Sequence, residues 1–137
     1  MGIVEASITH EMAGELAASD VAVVSSGTAT VEAALIGVPM VVIYRVAPLT
    51  AWIARRLVRT PYFAMVNLIA GKQVVPELIQ DNFTTSRVAE ETERLLTSPK
   101  ARDQMRLDLA QVRARLGPPG AIDRAADIIA AMLNRWP

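Results

Sequence analysis

Val21-Ala22-Val23-Val24-Ser25-Ser26-Gly27-Thr28-Ala29-Thr30-Val31-Glu32 runs from an apolar stretch through a turn of small residues into a segment with helical spacing. Residues 21–25 are short, continuous and apolar, as a buried strand requires. Gly37-Val38-Pro39 stops the helix that follows, and residues 40–44 form a second β-branched run. Short apolar runs separated by single helices read as buried parallel strands in βαβ units. The fold class expected is α/β, a parallel sheet with flanking helices.

Outward from this stretch, residues 3–5 read as a short strand and residues 9–18 as a helix ending before Ser19-Asp20. Downstream, Pro48 opens a helix through about residue 58, Pro61 precedes a third short run at residues 62–66, and a loop follows. The last third changes character. Thr84 or Thr85 caps a helix carrying Val88, Leu95 and Leu96, and Ser98-Pro99 starts another. That second helix sets Met105, Leu109, Val112 and Leu116 on one stripe, and Gly117-Pro118-Pro119-Gly120 ends it. Ile122, Ala126, Ile129 and Leu133 form the stripe of a final helix. Residues 1–82 are therefore expected to make the βα portion, and residues 83–137 a helical tail packing on the same domain.

The 137 residues are 52% apolar, enough for one ordinary core. Lysine and arginine total 14 against 14 acids, so no overall pull on nucleic acid is expected. The absence of cysteine excludes a disulfide framework, a thiolate zinc site and a cysteine nucleophile, and fits a reducing cytosol. Residues 1–6 do not read as a signal peptide. The apolar stretch at 33–44, broken by Gly37 and Pro39, falls short of a spanning helix. The expectation is a cytoplasmic protein, peripheral on a membrane at most. Charge is unevenly spread: residues 33–76 hold no acid but contain Arg45, Arg55, Arg56, Arg59 and Lys72, which predicts one positive face.

The strongest chemical signal is the turn at Ser25, Ser26, Gly27, Thr28, Ala29 and Thr30. Glycine permits a sharp bend and a close approach, the hydroxyls supply donors, and free amides at a helix start favour a phosphate. Glu32 lies one helical turn from Thr28, placed to accept hydrogen bonds from ribose hydroxyls. The plainer reading is a small-residue βα turn with a solvated glutamate, and pattern alone does not choose. Arg45 follows the next strand, where open parallel sheets gather ligands; the alternative is a surface arginine. The segment 49–59 reads either as a membrane-facing basic helix or as a core helix with a charged outer face. Asn67 suits a shaped loop near a site, or equally a turn residue bonding its own backbone. His10 is the only histidine, so a zinc helix motif and a serine–histidine triad both fail. No P-loop or dinucleotide-binding glycine motif is present.

The blocks at 18–35, at 37–42, Tyr44-Arg45, 54–58, 67–71 and 75–80 resemble, in order and spacing, the C-terminal domain of the lipid-A-disaccharide synthase family. The segment 113–117 matches more loosely. The resemblance implies one half of two facing Rossmann-like domains with the active site in the cleft between them. It also implies transfer from a UDP-linked diacylglucosamine donor to a diacylglucosamine 1-phosphate acceptor, with inversion and no metal or other cofactor. The turn from Ser26 to Thr30 would hold the pyrophosphate, Glu32 the ribose, and Arg45 and Asn67 would stand near the donor sugar or its phosphates. Val66 stands where the family usually has proline. The family's catalytic base and its Leu-Pro-Gly-Ser-Arg loop have no counterpart in these 137 residues, so no catalytic residue and no turnover are expected here. The apolar stripe of the final helix suggests a homodimer, and the basic segment an anionic membrane surface. Two rival classes remain: another UDP-sugar enzyme of the same fold, and a non-enzymatic basic module that binds anionic lipid or a protein.

Overall fold

The computed structural model describes residues 10–47, 61–118 and 120–133. Three parallel strands, β1 (Ala22–Ser25), β2 (Met40–Tyr44) and β3 (Glu77–Ile79), form a sheet in the order β1-β2-β3. Ala22 pairs with Met40 and Ser25 with Ile43 on one side of β2; Val42 pairs with Glu77 and Tyr44 with Ile79 on the other. The central strand is the most enclosed, with Met40, Val41 and Val42 fully buried. A strand hydrogen-bonded on both edges and covered on both faces has no polar positions to spare, which is why 40–43 is Met-Val-Val-Ile. The α/β class and the Rossmann-like arrangement of parallel strands with flanking helices are as the sequence indicates.

Helix α1 (His10–Ala17) precedes β1, and α2 (Thr28–Ile36) joins β1 to β2. α2 buries Thr30, Ala33 and Ala34 against the sheet, small side chains that let the helix axis approach closely. It ends at Gly37 in the left-handed conformation (φ 86°), whose N–H and that of Val38 close on the carbonyls of Ala33 and Ala34. Glycine is the residue that takes this conformation without penalty, and Pro39 then prevents the helix from continuing.

The sequence reading of a third strand at residues 62–66 is corrected here. Residues 65–70 form a short helix, α3 (Met65–Ala70), and the third strand is Glu77–Ile79. The reason is a polar knot that apolar patterning does not reveal. Asn67 is fully buried, and its amide nitrogen donates to the carbonyl of Val75 and to Glu77 Oε1. Its oxygen accepts from the N–H groups of Val74 and Val75. The Glu77 carboxylate in turn accepts from the N–H groups of Phe63 and Ala64. Residues 63–64 thus spend their backbone donors on a side chain rather than on a neighbouring strand.

Two capped helices follow. Thr84 accepts from the N–H of Arg87 to start α4 (Thr85–Thr97), and Ser98, with Pro99 at the first helical position, starts α5 (Pro99–Leu116). α5 buries Met105, Leu109 and Val112 and packs on α2, α3 and α4. Leu116, the fourth member of the expected stripe, is 40% exposed. Arg115 near the end of α5 donates to the carbonyls of Ile69 and Ala70, satisfying the last turn of α3. A final helix, α6 (Ala121–Leu133), exposes Ile122, Ile128, Ile129, Met132 and Leu133. The strand expected at 3–5 and the helix at 49–59, with Arg55, Arg56 and Arg59, lie outside the described residues.

Two measurements probe this frame. Asn67→Ala leaves the buried N–H groups of Val74 and Val75 without an acceptor, and at about 1–3 kcal/mol for each group so orphaned, chemical denaturation should show a loss of roughly 3 kcal/mol. A loss within experimental error of zero would contradict the knot. Separately, Lys72 at 2.6 Å holds the Asp108 carboxyl below its ordinary range. The folded group is more acidic than the unfolded one, so its stabilisation is present above about pH 4 and disappears as pH falls through the lower folded value. Asp108→Asn should therefore flatten the acid limb of the stability–pH curve and leave its alkaline side unchanged in shape.

Candidate binding site at the strand tips

Parallel strands end on one edge of the sheet, and the turn after β1 and the segments after β2 and β3 all emerge there. The Ser26 N–H donates to the carbonyl of Ile43, carrying the ladder one step past β1. Gly27 then takes φ 150° and ψ −161°, in a region that disfavours side chains. A β-carbon built at Gly27 would meet nothing within 4 Å, so the space beside the turn is open. The Gly27 carbonyl is taken by the N–H and the hydroxyl of Thr30, the latter at 2.7 Å. This pins the turn to the first turn of α2.

Among the described residues no side chain caps the amino end of α2, whose N-cap is Gly27. Its first-turn amides, with the positive end of the helix dipole, therefore face the strand tips. Ser25 and Thr28 are exposed, Ser26, Gly27 and Ala29 half-buried, and Thr30 buried. The hydroxyls of Ser25, Ser26 and Thr28 have no protein partner among the described residues, nor does the carboxylate of the half-buried Glu32. Thr30 differs from its neighbours: its side chain is committed to the turn itself.

Arg45 leaves β2 two residues beyond Ile43, the register partner of Ser25. Its Nη2 donates to the carbonyl of Phe83 at 2.8 Å, and its guanidinium carbon lies 4.9 Å from the centre of the Phe83 ring. The cation is exposed yet held in place by a hydrogen bond and a ring face. A groove of about 250 Å³ runs beside it, lined by Arg45, Val46, Gln80, Asp81, Phe83 and Thr84. A slightly larger groove, about 280 Å³, lies beside Val74–Pro76, the segment that leads into β3, where Arg94 already pairs with Glu91.

Of the residues picked from the sequence, the Ser25–Thr30 turn and Arg45 follow the carboxyl ends of β1 and β2, and Glu32 lies in the second turn of α2. Asn67 stands apart from them. Its two amide hydrogens and both oxygen lone pairs are used inside the knot that leads into β3, so the side chain has no capacity left for a ligand. It is not a turn residue bonding its own backbone either: Asn67 lies within α3 and bonds Val74, Val75 and Glu77, seven to ten residues on. Gln80 and Phe83 border the groove and were not singled out. A lone phenylalanine before a helix cap carries no periodic signal, and a glutamine in a left-handed turn runs against residue preference. No group of three or more potential metal ligands occurs among the described residues, and no helix there is long and apolar enough to cross a membrane.

Residues 4–129 match the sequence profile of the family described as Lipid-A-disaccharide synthetase. A lipid-A-disaccharide synthase of Acidobacterium capsulatum is 56% identical over 115 residues, 82% of this chain and 29% of the relative. One of Gluconobacter oxydans is 46% identical over 127 residues, covering 91% and 31% respectively. One of Koribacter versatilis is 44% identical over 133 residues, covering 94% and 35%. The chain thus spans about a third of the length of the curated relatives it matches. With most of its residues inside the family profile and relatives at this level of identity, the chain belongs to the lipid-A-disaccharide synthetase family.

Proposed function

We propose that this chain is the UDP-sugar-binding portion of a glycosyltransferase of lipid A biosynthesis. The reaction joins UDP-2,3-diacylglucosamine to 2,3-diacylglucosamine 1-phosphate. The observation that supports this reading best is the glycine-hinged, uncapped start of α2 opening beside Arg45 at the strand tips. A diphosphate seated there meets the backbone N–H groups of Gly27, Thr28 and Ala29, those of Ser26 and Thr30 being spent on Ile43 and Gly27, and the Glu32 carboxylate, without a partner among the described residues, accepts from the ribose hydroxyls.

Departure of UDP concentrates negative charge on its phosphates. Fixed amides and a tethered guanidinium stabilise that charge without having to reorganise when it develops. This is electrostatic assistance rather than proton transfer, and turnover by this chain alone is not expected. Its working place is the cytoplasmic side of the inner membrane, where the phosphorylated lipid acceptor is presented. The exposed apolar side chains of α6, from Ile122 to Leu133, make this helix the surface through which two copies associate.

Calorimetry with UDP tests the site. The wild-type chain should bind, Glu32→Ala should weaken binding about tenfold through loss of a charge-assisted hydrogen bond, and Gly27→Val should abolish it. Absence of UDP binding by a chain shown to be folded would overturn the assignment, and retention of anionic-liposome binding by both variants would support the non-enzymatic rival. Light scattering tests the association. A dimer is expected at micromolar concentration, Ile128→Glu with Met132→Glu should return it to a monomer, and a strictly monomeric wild type would refute the surface.

A further inference from the structure

The backbone pairing of β2 with β3 ends at Tyr44 and Ile79. One residue on, Gln80 turns the chain into a 3-10 helix (Gln80–Asn82) at φ 52°, the one positive φ outside glycine among the described residues. A β-carbon is disfavoured in that conformation, where glycine is the relaxed choice. What glutamine adds is its carboxamide. Its oxygen accepts from the N–H of Val46 at 2.8 Å, and its nitrogen donates to the carbonyl of Val46 at 3.1 Å. A carboxamide offers a donor and an acceptor in one plane, as a peptide group does, so Gln80 supplies the rung that the backbone ladder no longer provides.

Val46 directly follows Arg45, and the circuit closes on the other side. Arg45 donates to the carbonyl of Phe83 and lies over its ring, while the Phe83 N–H donates to the carbonyl of Gln80. The guanidinium is thus fixed at its backbone by Gln80 and at its tip by Phe83. Arg45 lines the groove, and the bond to Phe83 uses only one of its guanidinium nitrogens.

We propose that Gln80 is a positioning residue for the anion site, acting through Arg45 by locking the backbone that carries it. It does not itself touch the ligand. The proposal rests on the nucleotide-sugar reading given above for the identity of the anion, but not for the geometry of the clamp. Arg45 lines the groove beside Val46, Gln80 and Phe83, so the placement of its guanidinium governs how the groove meets a phosphate.

The test compares the wild-type chain with Gln80→Gly, Gln80→Glu, Arg45→Ala and the Gln80→Gly/Arg45→Ala double variant. Glycine removes the carboxamide and relieves the backbone, so the thermal midpoint of Gln80→Gly should stay within about 5 °C of wild type. UDP affinity should nevertheless fall about tenfold, to the level of Arg45→Ala, and the double variant should bind no more weakly than Arg45→Ala alone. Full additivity of the two losses would overturn the proposal, because a residue acting through Arg45 has nothing to act on once Arg45 is gone. Gln80→Glu keeps the acceptor and loses the donor, and should fall between wild type and glycine. It also carries the test should Gln80→Gly fail to fold. A second arm needs no ligand: on removal of the carboxamide, amide exchange at Val46 should accelerate and the Arg45 Nε–H resonance should move from its wild-type position. If both are unchanged, the clamp is refuted whatever the nucleotide result. If they change while wild type binds no UDP, the nucleotide reading fails and the clamp on Arg45 stands.

Discussion

A parallel ladder forces every strand to end on the same edge of the sheet, and the rest of this structure follows from that. β1, β2 and β3 carry different sequences past their last paired residue, yet register brings the three exits together. Antiparallel pairing would have scattered them between two edges. The constraint demands burial of the first three residues of β2, where hydrogen bonding on both sides and cover on both faces leave the side chains no route to water, while Ile43 is half-buried and Tyr44 exposed toward the strand tip. Met40, Val41 and Val42 meet that demand, and Met105 of α5 reaches in to place its sulfur 3.3 Å from the Met40 N–H.

The polar groups divide into two populations that do opposite work. Asn67 and Glu77 are saturated: each hydrogen-bonding position of the asparagine amide is matched, and the glutamate closes the chain at Phe63 and Ala64. A buried amide satisfied this completely fixes the course of the segments between α3 and β3. The groups at the strand tips are the reverse. The amino end of α2 has no side-chain cap, Glu32 lacks a protein partner among the described residues, and the space around Gly27 is open. The contrast between a saturated amide in the interior and open donors at this edge is what supports the proposed site.

What was legible in the sequence follows from this division. Runs such as 21–25 and 40–44 announce themselves because burial demands continuous apolar character, and Gly37 and Pro39 mark the end of α2 because few residues serve there. The caps Thr84 and Ser98 are equally plain. The third strand was missed because Glu77-Leu78-Ile79 is short and opens on a charged residue, while Tyr62 to Val66 is more apolar. The Asn67–Glu77 interaction that decides between them spans ten residues and has no local signature. The same holds at the site. The Ser25–Thr30 turn is contiguous in sequence and could be read. The hold on Arg45 comes from Phe83, 38 residues away, and only the folded sheet brings them together.

The two cationic features at the strand tips differ in how their order is maintained. The amides of α2 are fixed by the helix itself, with Thr30 tying the first turn to the Gly27 carbonyl. They need no further restraint, because their direction is a property of backbone geometry. An exposed arginine is the opposite case. Left free it carries about 2 kcal/mol of rotamer entropy, which a ligand would have to offset on binding. Resting on the Phe83 ring and bonded to the Phe83 carbonyl, Arg45 gives up much of that freedom during folding. The tether leaves the guanidinium accessible, so a phosphate bound there as proposed would meet one rigid set of donors and one cation already held in place. Preorganisation of this kind favours the charge that develops late in a reaction over the charge present at its start, because fixed dipoles do not have to move when charge moves.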